Sequence, residues 1–474
     1  MFKLIVENAT ETTNGMPAYK SALSACLDLF YKAGASRGKN IVPAFEAAFQ
    51  QDRDLAVRIA LWARDIRGGA GERQTFRNIL LHLEQAHPEV AGAILPLVPE
   101  VGRWDDLLVL QTPWVKTQAF ALIADALRRK DRLCAKWMPR QGAIAAQLRR
   151  HMNIKSSKEF RKLLVSLTNV VETPMCAREW SSIQFDSVPS VAHARYRKAF
   201  QRNAPQYAAY VEGLVKGERK VNASSVFPHD VLRGVADDSL TPVQAQFIEQ
   251  QWNALPAYVG SARVLPMVDV SGSMSSANVS GSVTAMDVAI AMGLYFATKS
   301  TGAYRDLVLT FSERPTLFSL KGSLTEKYHQ LRTANWGMNT NIDAALDQVL
   351  SLAVNNNVPQ AEMPEVLLVL SDMQFDAALD YRSRGPFLEI AKTKFRQAGY
   401  VPPVLVFWNL NDAGNTPATI HSTGAVLLSG YSPAVFQTTM RLIQQHSQIE
   451  NALHALAVEA MLATVKIPRY NWED

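Results

Sequence analysis

The chain has 474 residues, 48% of them hydrophobic and 19% charged, with a net charge of +6 from 49 basic and 43 acidic side chains. At about 100–200 residues per domain, that length predicts two or three domains, and the composition excludes a disordered chain. Three cysteines, Cys26, Cys134 and Cys176, are too few and too scattered for a disulfide framework or a cysteine-based zinc site. No run approaches the ~20 apolar residues of a membrane span, and Met1–Ala9 is too short for a signal-peptide core. The expected setting is the cytoplasm, with no membrane contact.

The charge is split. Residues 1–260 hold 34 basic and 25 acidic side chains, and residues 261–474 hold 15 and 18. A basic half and a mildly acidic half suggest separate tasks.

From about residue 17 to 255 the pattern is helical. Phe76, Ile79, Leu80 and Leu83 share one helical face, and similar spacings recur over 22–30 and 119–127. Gly68-Gly69, Pro88, Pro96, Pro99 and Gly102 punctuate short helices. No repeat of fixed period is present, and an irregular HEAT-like helical solenoid or ring over 1–260 is the expected architecture. The turn Gly68–Gly71 lacks the Gly-Lys-Ser/Thr ending of a P-loop, so it reads as a helix connection. Ion pairs of Arg64, Arg67 and Arg73 with Asp65 or Glu72 are the expected local contacts. His82 and His87 lie five apart, off a single helical face, and read as surface or capping residues.

Within Asp125–Val165 stand 12 Lys and Arg against three acids. Arg128, Arg129, Lys130 and Arg132 form one knot, and Arg149, Arg150, Lys155, Lys158, Arg161 and Lys162 another. A solvated helix face is the ordinary explanation of a charge run. Here too few acids are present to neutralise it, which favours binding to a polyanion through phosphate contacts. Lys155, Lys158 and Lys162, at i, i+3 and i+7, predict one basic helical face.

After residue 260 the texture changes. Apolar runs at Val264–Val270, Leu307–Phe311, Val366–Leu370, Val404–Trp408 and Ala425–Leu428 read as buried strands. Helical stretches at Val283–Thr298, Ile342–Ala353, Pro386–Gln397 and Pro433–Gln445 alternate with them. This order predicts a doubly wound parallel α/β domain over 261–446, with ligands beyond the C-terminal strand ends. Residues 447–474 are expected to form a helix and tail that pack back on the helical part.

Asp269, Ser271 and Ser273 follow the first of these strands, and Asp372 follows Val366–Leu370. Thr340 precedes a helix. Each offers a hard oxygen donor of the kind that suits Mg²⁺, Mn²⁺ or Ca²⁺. Gly272 is expected to let the loop curl so that both serines face one point. Helix capping explains one such loop, but three oxygen-rich loops point to a metal site. No zinc-protease or nucleophile-elbow motif is present, so the chain reads as a non-enzyme; a one-metal phosphodiesterase ranks below binding.

The Asp269-Val270-Ser271-Gly272-Ser273 segment, Thr340 and Leu370-Ser371-Asp372 resemble a von Willebrand factor type A domain with a metal-ion-dependent adhesion site. The resemblance implies that Ser271, Ser273 and Thr340 coordinate Mg²⁺, with Asp269 and Asp372 binding directly or through water. It also implies an acidic group from a protein partner as the last ligand. Arg64–Arg73 and Val101–Leu108 resemble TROVE-type helical modules, the ring-shaped RNA-binding modules of Ro proteins. A less characterised helical-plus-type-A family of plants, microbes and viruses is similar at these segments, at Val171–Cys176, Val188–Ser190, Trp336–Thr340 and Ser371–Phe375. These resemblances imply a monomeric ribonucleoprotein component that binds small structured, misfolded or single-stranded RNA, with Mg²⁺-dependent docking. The alternative is a metal-dependent adhesion or assembly factor without RNA.

Overall fold

A computed structural model of the chain describes residues 7–168, 170–223, 225–233, 235, 240–276, 278–280, 283–310, 315–334, 341–376, 387–446 and 456–472. Strands β1 (Ala9–Glu11) and β2 (Pro17–Tyr19) form an antiparallel hairpin. Helices α1 (Ala25–Ala33), α2 (Val42–Gln51), α3 (Arg53–Arg64), α4 (Arg73–Ala86) and α5 (Pro88–Ile94) follow, each packed on the next. Local chemistry starts them: Ser24 and Asp52 accept hydrogen bonds from the N–H groups of Leu27 and Leu55. The stripe Phe76, Ile79, Leu80 and Leu83 is the buried face of α4.

After the short helix α6 (Val98–Val101) and a 3₁₀ turn (Trp104–Val109) come α7 (Pro113–Arg128), α8 (Arg132–Trp137), α9 (Ala143–His151) and α10 (Ser157–Leu167). A second helical group comprises α11 (Glu172–Ala177), α12 (Ser190–Asn203), α13 (Tyr207–Val215), α14 (Pro228–Val231) and α15 (Pro242–Asn253). Part of it forms a core of its own around Phe185, Phe200, Tyr207 and Phe247, while Val231, Ile248 and Trp252 join the main core. The expected HEAT-like solenoid or ring is not shown by this arrangement. A solenoid buries each repeat on the next, whereas no extensive helix packing joins α7–α10 to α12–α15 among the described residues. Between them lies a cleft of about 360 Å³ lined by Leu133 and Lys136 on one side and Val171, Ile183, Val188 and Ala192 on the other.

The second half is an α/β domain. Its elements are β3 (Val264–Val268), α16 (Gly272–Ser276), the small hairpin β4 (Asn278–Ser280) and β5 (Val283–Thr284), and α17 (Ala285–Lys299). Then come β6 (Leu307–Thr310), β7 (Leu317–Ser319), α18 (Leu324–Thr333), α19 (Ile342–Asn355) and β8 (Val366–Ser371). The domain continues through α20 (Phe387–Gln397), β9 (Val404–Asn409), β10 (Ala425–Ser429) and α21 (Ala434–His446), and α22 (Leu456–Val465) follows. The sheet order is β10-β9-β8-β3-β6-β7, parallel except for the edge strand β7.

Helices cover both faces of the sheet. Gly293 of α17 sits so close to β3 that a Cβ there would lie 2.3 Å from Val268 Cγ2. Leu405 of β9 has the opposite alternation and lines a small cavity with Leu346, Leu388 and Phe395 of α19 and α20. Burial on both faces explains why these strands read as continuous apolar runs.

Both ends of the helical part rest on this domain. Helix α1 packs against β10, and α14 packs against α17. At Gly34, directly after α1, a Cβ would lie 2.6 Å from the Gly430 backbone, so only glycine permits that approach. Helix α22 lies against α1, α3, β10 and α21. After it, Arg469 and Tyr470 reach Asp65 at 2.5 and 3.0 Å, and Trp472 Nε1 donates to Asp54 at 3.1 Å.

The expected pairing of Arg64, Arg67 and Arg73 with Asp65 or Glu72 is replaced by longer-range contacts. Asp65 takes Arg469, Glu72 takes Arg37 at 2.8 Å, and Arg64 takes Asp106. The physical reason is that neighbours on a tight turn project apart, while buried charges must find partners wherever the fold supplies them.

Candidate metal centre and basic face

Strands β3 and β8 are adjacent, and the chain leaves them toward opposite flanks of the sheet, so their C-terminal ends form its switch point. Asp269 follows β3 and Asp372 follows β8. The ladder runs up to the first carboxylate, since Asp269 N donates to Leu370 O at 3.0 Å. Asp269 Oδ1 accepts from Ser271 N at 2.9 Å, and Oδ2 accepts from Ser371 Oγ at 2.5 Å. The Ser271 and Ser273 hydroxyls lie 3.0 Å apart, and Ser273 also hydrogen-bonds Asp372.

Both carboxyls are buried. Burial first, and the charge of Asp372 second, push Asp269 up to about 6. Burial likewise raises Asp372, opposed by the Ser273 hydroxyl, the Gln374 N–H and the more remote Lys39. Two buried carboxyls whose proton affinity is raised chiefly by burial, beside two hydroxyls, form an all-oxygen donor set that suits a hard divalent cation.

Asp269, Ser271, Ser273 and Asp372 therefore stand together. Thr340, with the rest of Trp336–Thr340, lies outside the described residues. Gly272 does not act as expected: it opens α16, and a Cβ there would meet open space, so the turn does not require glycine. Ser371 was missed as a contributor, although its place beside Asp372 at the end of an apolar strand was a usable signal. The hold on the β8 loop by the N-terminal hairpin had no signal at all. Gln374 Oε1 accepts from Thr13 N at 2.7 Å, Gln374 O from Asn14 Nδ2 at 2.8 Å, and Phe375 O from Thr12 Oγ1 at 2.6 Å.

The basic residues fall in one unit, α7–α10. Arg128, Arg129, Lys130, Arg132, Arg150, Lys155, Lys158, Arg161 and Lys162 are exposed. Arg129 pairs with Asp125 at 2.6 Å, an exposed contact worth little. Arg149 is half-buried, and its Nη1 donates at 2.7 Å to the carbonyls of Ile154 and Lys155, so it serves the loop after α9. Lys158, Arg161 and Lys162 border one open recess with Val165, and no acid lies within ion-pair distance of them among the described residues. Lys155 does not share their helix: Ser156 caps α10, which leaves Lys155 before its first turn.

A family described as "Domain of unknown function (DUF2828)" matches residues 12–110 and 115–260, and one described as "Domain of unknown function (DUF7788)" matches 263–466. "Uncharacterized protein L728" of Acanthamoeba polyphaga mimivirus is 30% identical, over 95% of this chain and 87% of the viral one. Among solved structures, the Deinococcus radiodurans Ro (RSR) protein is similar at a TM-score of 0.48 and 16% identity, covering 93% of this chain and 100% of that one. No helix among the described residues is long and apolar enough to cross a membrane.

Proposed function

We propose, from the premise that this chain belongs to the DUF2828 family, that it is a non-catalytic RNA-binding protein. The single observation that carries the reading is the set of exposed cations on α7–α10, with no acid within ion-pair distance of Lys158, Arg161 and Lys162 among the described residues. Unneutralised cations gathered in one helical unit attract a phosphate backbone and release its counterions on contact. The TROVE-like segments at Arg64–Arg73 and Val101–Leu108 agree with this reading.

Asp269, Ser271, Ser273 and Asp372, joined by Thr340, would hold Mg²⁺ at the switch point. When bound, the ion supplies positive charge that attracts a carboxylate from a docking partner. This chain's own residues orient the donors: Ser371 and Ser271 N hold the Asp269 carboxylate, and Gln374 N and Ser273 hold Asp372.

Binding of the full chain to a small structured RNA, measured over a salt series, tests the first part. Affinity well above that for an unrelated acidic protein, falling steeply with salt, is expected; equal affinity for the two ligands defeats the RNA reading. For the second part, Asp269→Ala should abolish stabilisation by Mg²⁺ while leaving RNA affinity unchanged. Wild-type melting that is the same with and without Mg²⁺ defeats the metal reading.

A further inference from the structure

Away from the switch point, three potential ligands converge between α2 and α4. The Nε2 atom of His82 lies 2.9 Å from Glu46 Oε2, and the Nε2 atom of His87 lies 3.5 Å from the same oxygen. All three donor atoms are within 4.8 Å of one another. A tetrahedral zinc ion with bonds of about 2.0–2.1 Å separates its ligand atoms by about 3.3 Å, a value that the two measured contacts bracket.

The surroundings organise these donors. Gln50, one turn along α2, donates to Glu46 Oε1 at 2.8 Å, which leaves Oε2 directed at the imidazoles. The ring of His87 stacks on Phe49 at 4.2 Å, and that of His82 meets Phe45 edge-on at 6.2 Å. A second and independent observation concerns His87: its Nε2 is buried and makes no hydrogen bond of acceptable geometry. A buried imidazole nitrogen that faces a carboxylate oxygen at 3.5 Å without a well-aligned hydrogen bond is poised to ligate.

We propose that Glu46, His82 and His87 form a site for a first-row transition-metal ion, Zn²⁺ foremost, that staples α2 to α4. Imidazole nitrogen and one carboxylate select such ions over Mg²⁺, which prefers oxygen ligands throughout. Three protein ligands leave a fourth position for water or a partner's group. The site shares no residue with the Asp269 cluster and does not depend on the function proposed above.

The test uses the full chain carrying Cys176→Ser, which removes the exposed thiol as a competing ligand. Zn²⁺ is titrated against a chromogenic chelator in excess Mg²⁺. One tightly held equivalent is expected, lost in His82→Ala, His87→Ala and Glu46→Gln but retained in Asp269→Ala. Failure of the parent chain to compete for zinc, or binding unchanged in both histidine variants, overturns the proposal. Should a variant not fold, Co²⁺ absorption by the parent chain decides. Intense bands of a tetrahedral nitrogen–oxygen site support the assignment, and weak octahedral bands or none refute it.

Discussion

Arg64 donates from Nε to Asp106 Oδ2 at 2.8 Å, with both side chains excluded from solvent. Arg77 donates to the other oxygen of the same carboxylate at 2.7 Å. The segments Arg64–Arg73 and Val101–Leu108 therefore meet at one shared buried charge. Arg64, Asp106 and Arg77 hold α3, the 3₁₀ turn and α4 together, apart from the exposed cations of α7–α10.

Removing that carboxylate strands the fully buried Arg64 guanidinium and takes one of two carboxylates from Arg77, which keeps Asp105 at 3.0 Å. Asp106→Ala is expected to destabilise the protein by about 3–5 kcal/mol, the usual cost of breaking a buried pair from one side. Denaturant unfolding of the variant checks this; a loss under about 1 kcal/mol would mean that the pair behaves as a surface contact.

The hairpin β1–β2 grips the loop that carries Asp372 through Gln374. Gln374→Ala removes the acceptor for Thr13 N, a hydrogen bond worth about 0.5–1.5 kcal/mol. The larger expected effect is on metal binding, because Asp372 lies two residues away. The rise in melting temperature produced by Mg²⁺ should shrink in this variant, and a rise equal to that of the wild type would show that the clamp does not position the loop.

Reversing Lys158, Arg161 and Lys162 to glutamate should weaken RNA binding and flatten its dependence on salt. Losing two or three phosphate contacts lowers the slope of log affinity against log salt by about 2–3. All three side chains are exposed, so far-UV circular dichroism should stay unchanged. An unchanged slope would place the phosphate contacts elsewhere on the chain.

His193 is enclosed by Phe247, Tyr210, Phe185, Phe200 and Tyr207. Burial drives it from its ordinary 6.5 to about 3. Between those values the unfolded chain binds a proton that the folded chain refuses, so stability rises with pH across that window and is lost as pH falls. Each pH unit below 6.5 costs about 1.4 kcal/mol from this residue. Between pH 6.5 and 5, wild type should lose about 2 kcal/mol more than His193→Phe, read from urea unfolding at both pH values. Equal losses in the two proteins would show that His193 is not kept neutral by the fold.

Much of the second half was visible before any coordinates. Strands buried on both faces carry unbroken apolar runs, so Val366–Leu370 and Val404–Trp408 fell within one residue of β8 and β9. The edge strand β7 was not visible, because it is short, half-exposed and without a buried run. The hairpin β1–β2 escaped for the same reason.

Sequence alone marked the apolar helical stripe of α4 and the buried parallel strands, the oxygen donors after those strands, and where positive charge gathers. Those properties depend on spacing along the chain and on the chemistry of each side chain. Only the tertiary structure decided partners. It set Asp106 between Arg64 and Arg77, Asp65 against Arg469, and Glu46 between His82 and His87. It also set two groups of helices on either side of a cleft. Periodicity reports that a face is covered but not by what, because a buried charge or imidazole is satisfied by proximity in space.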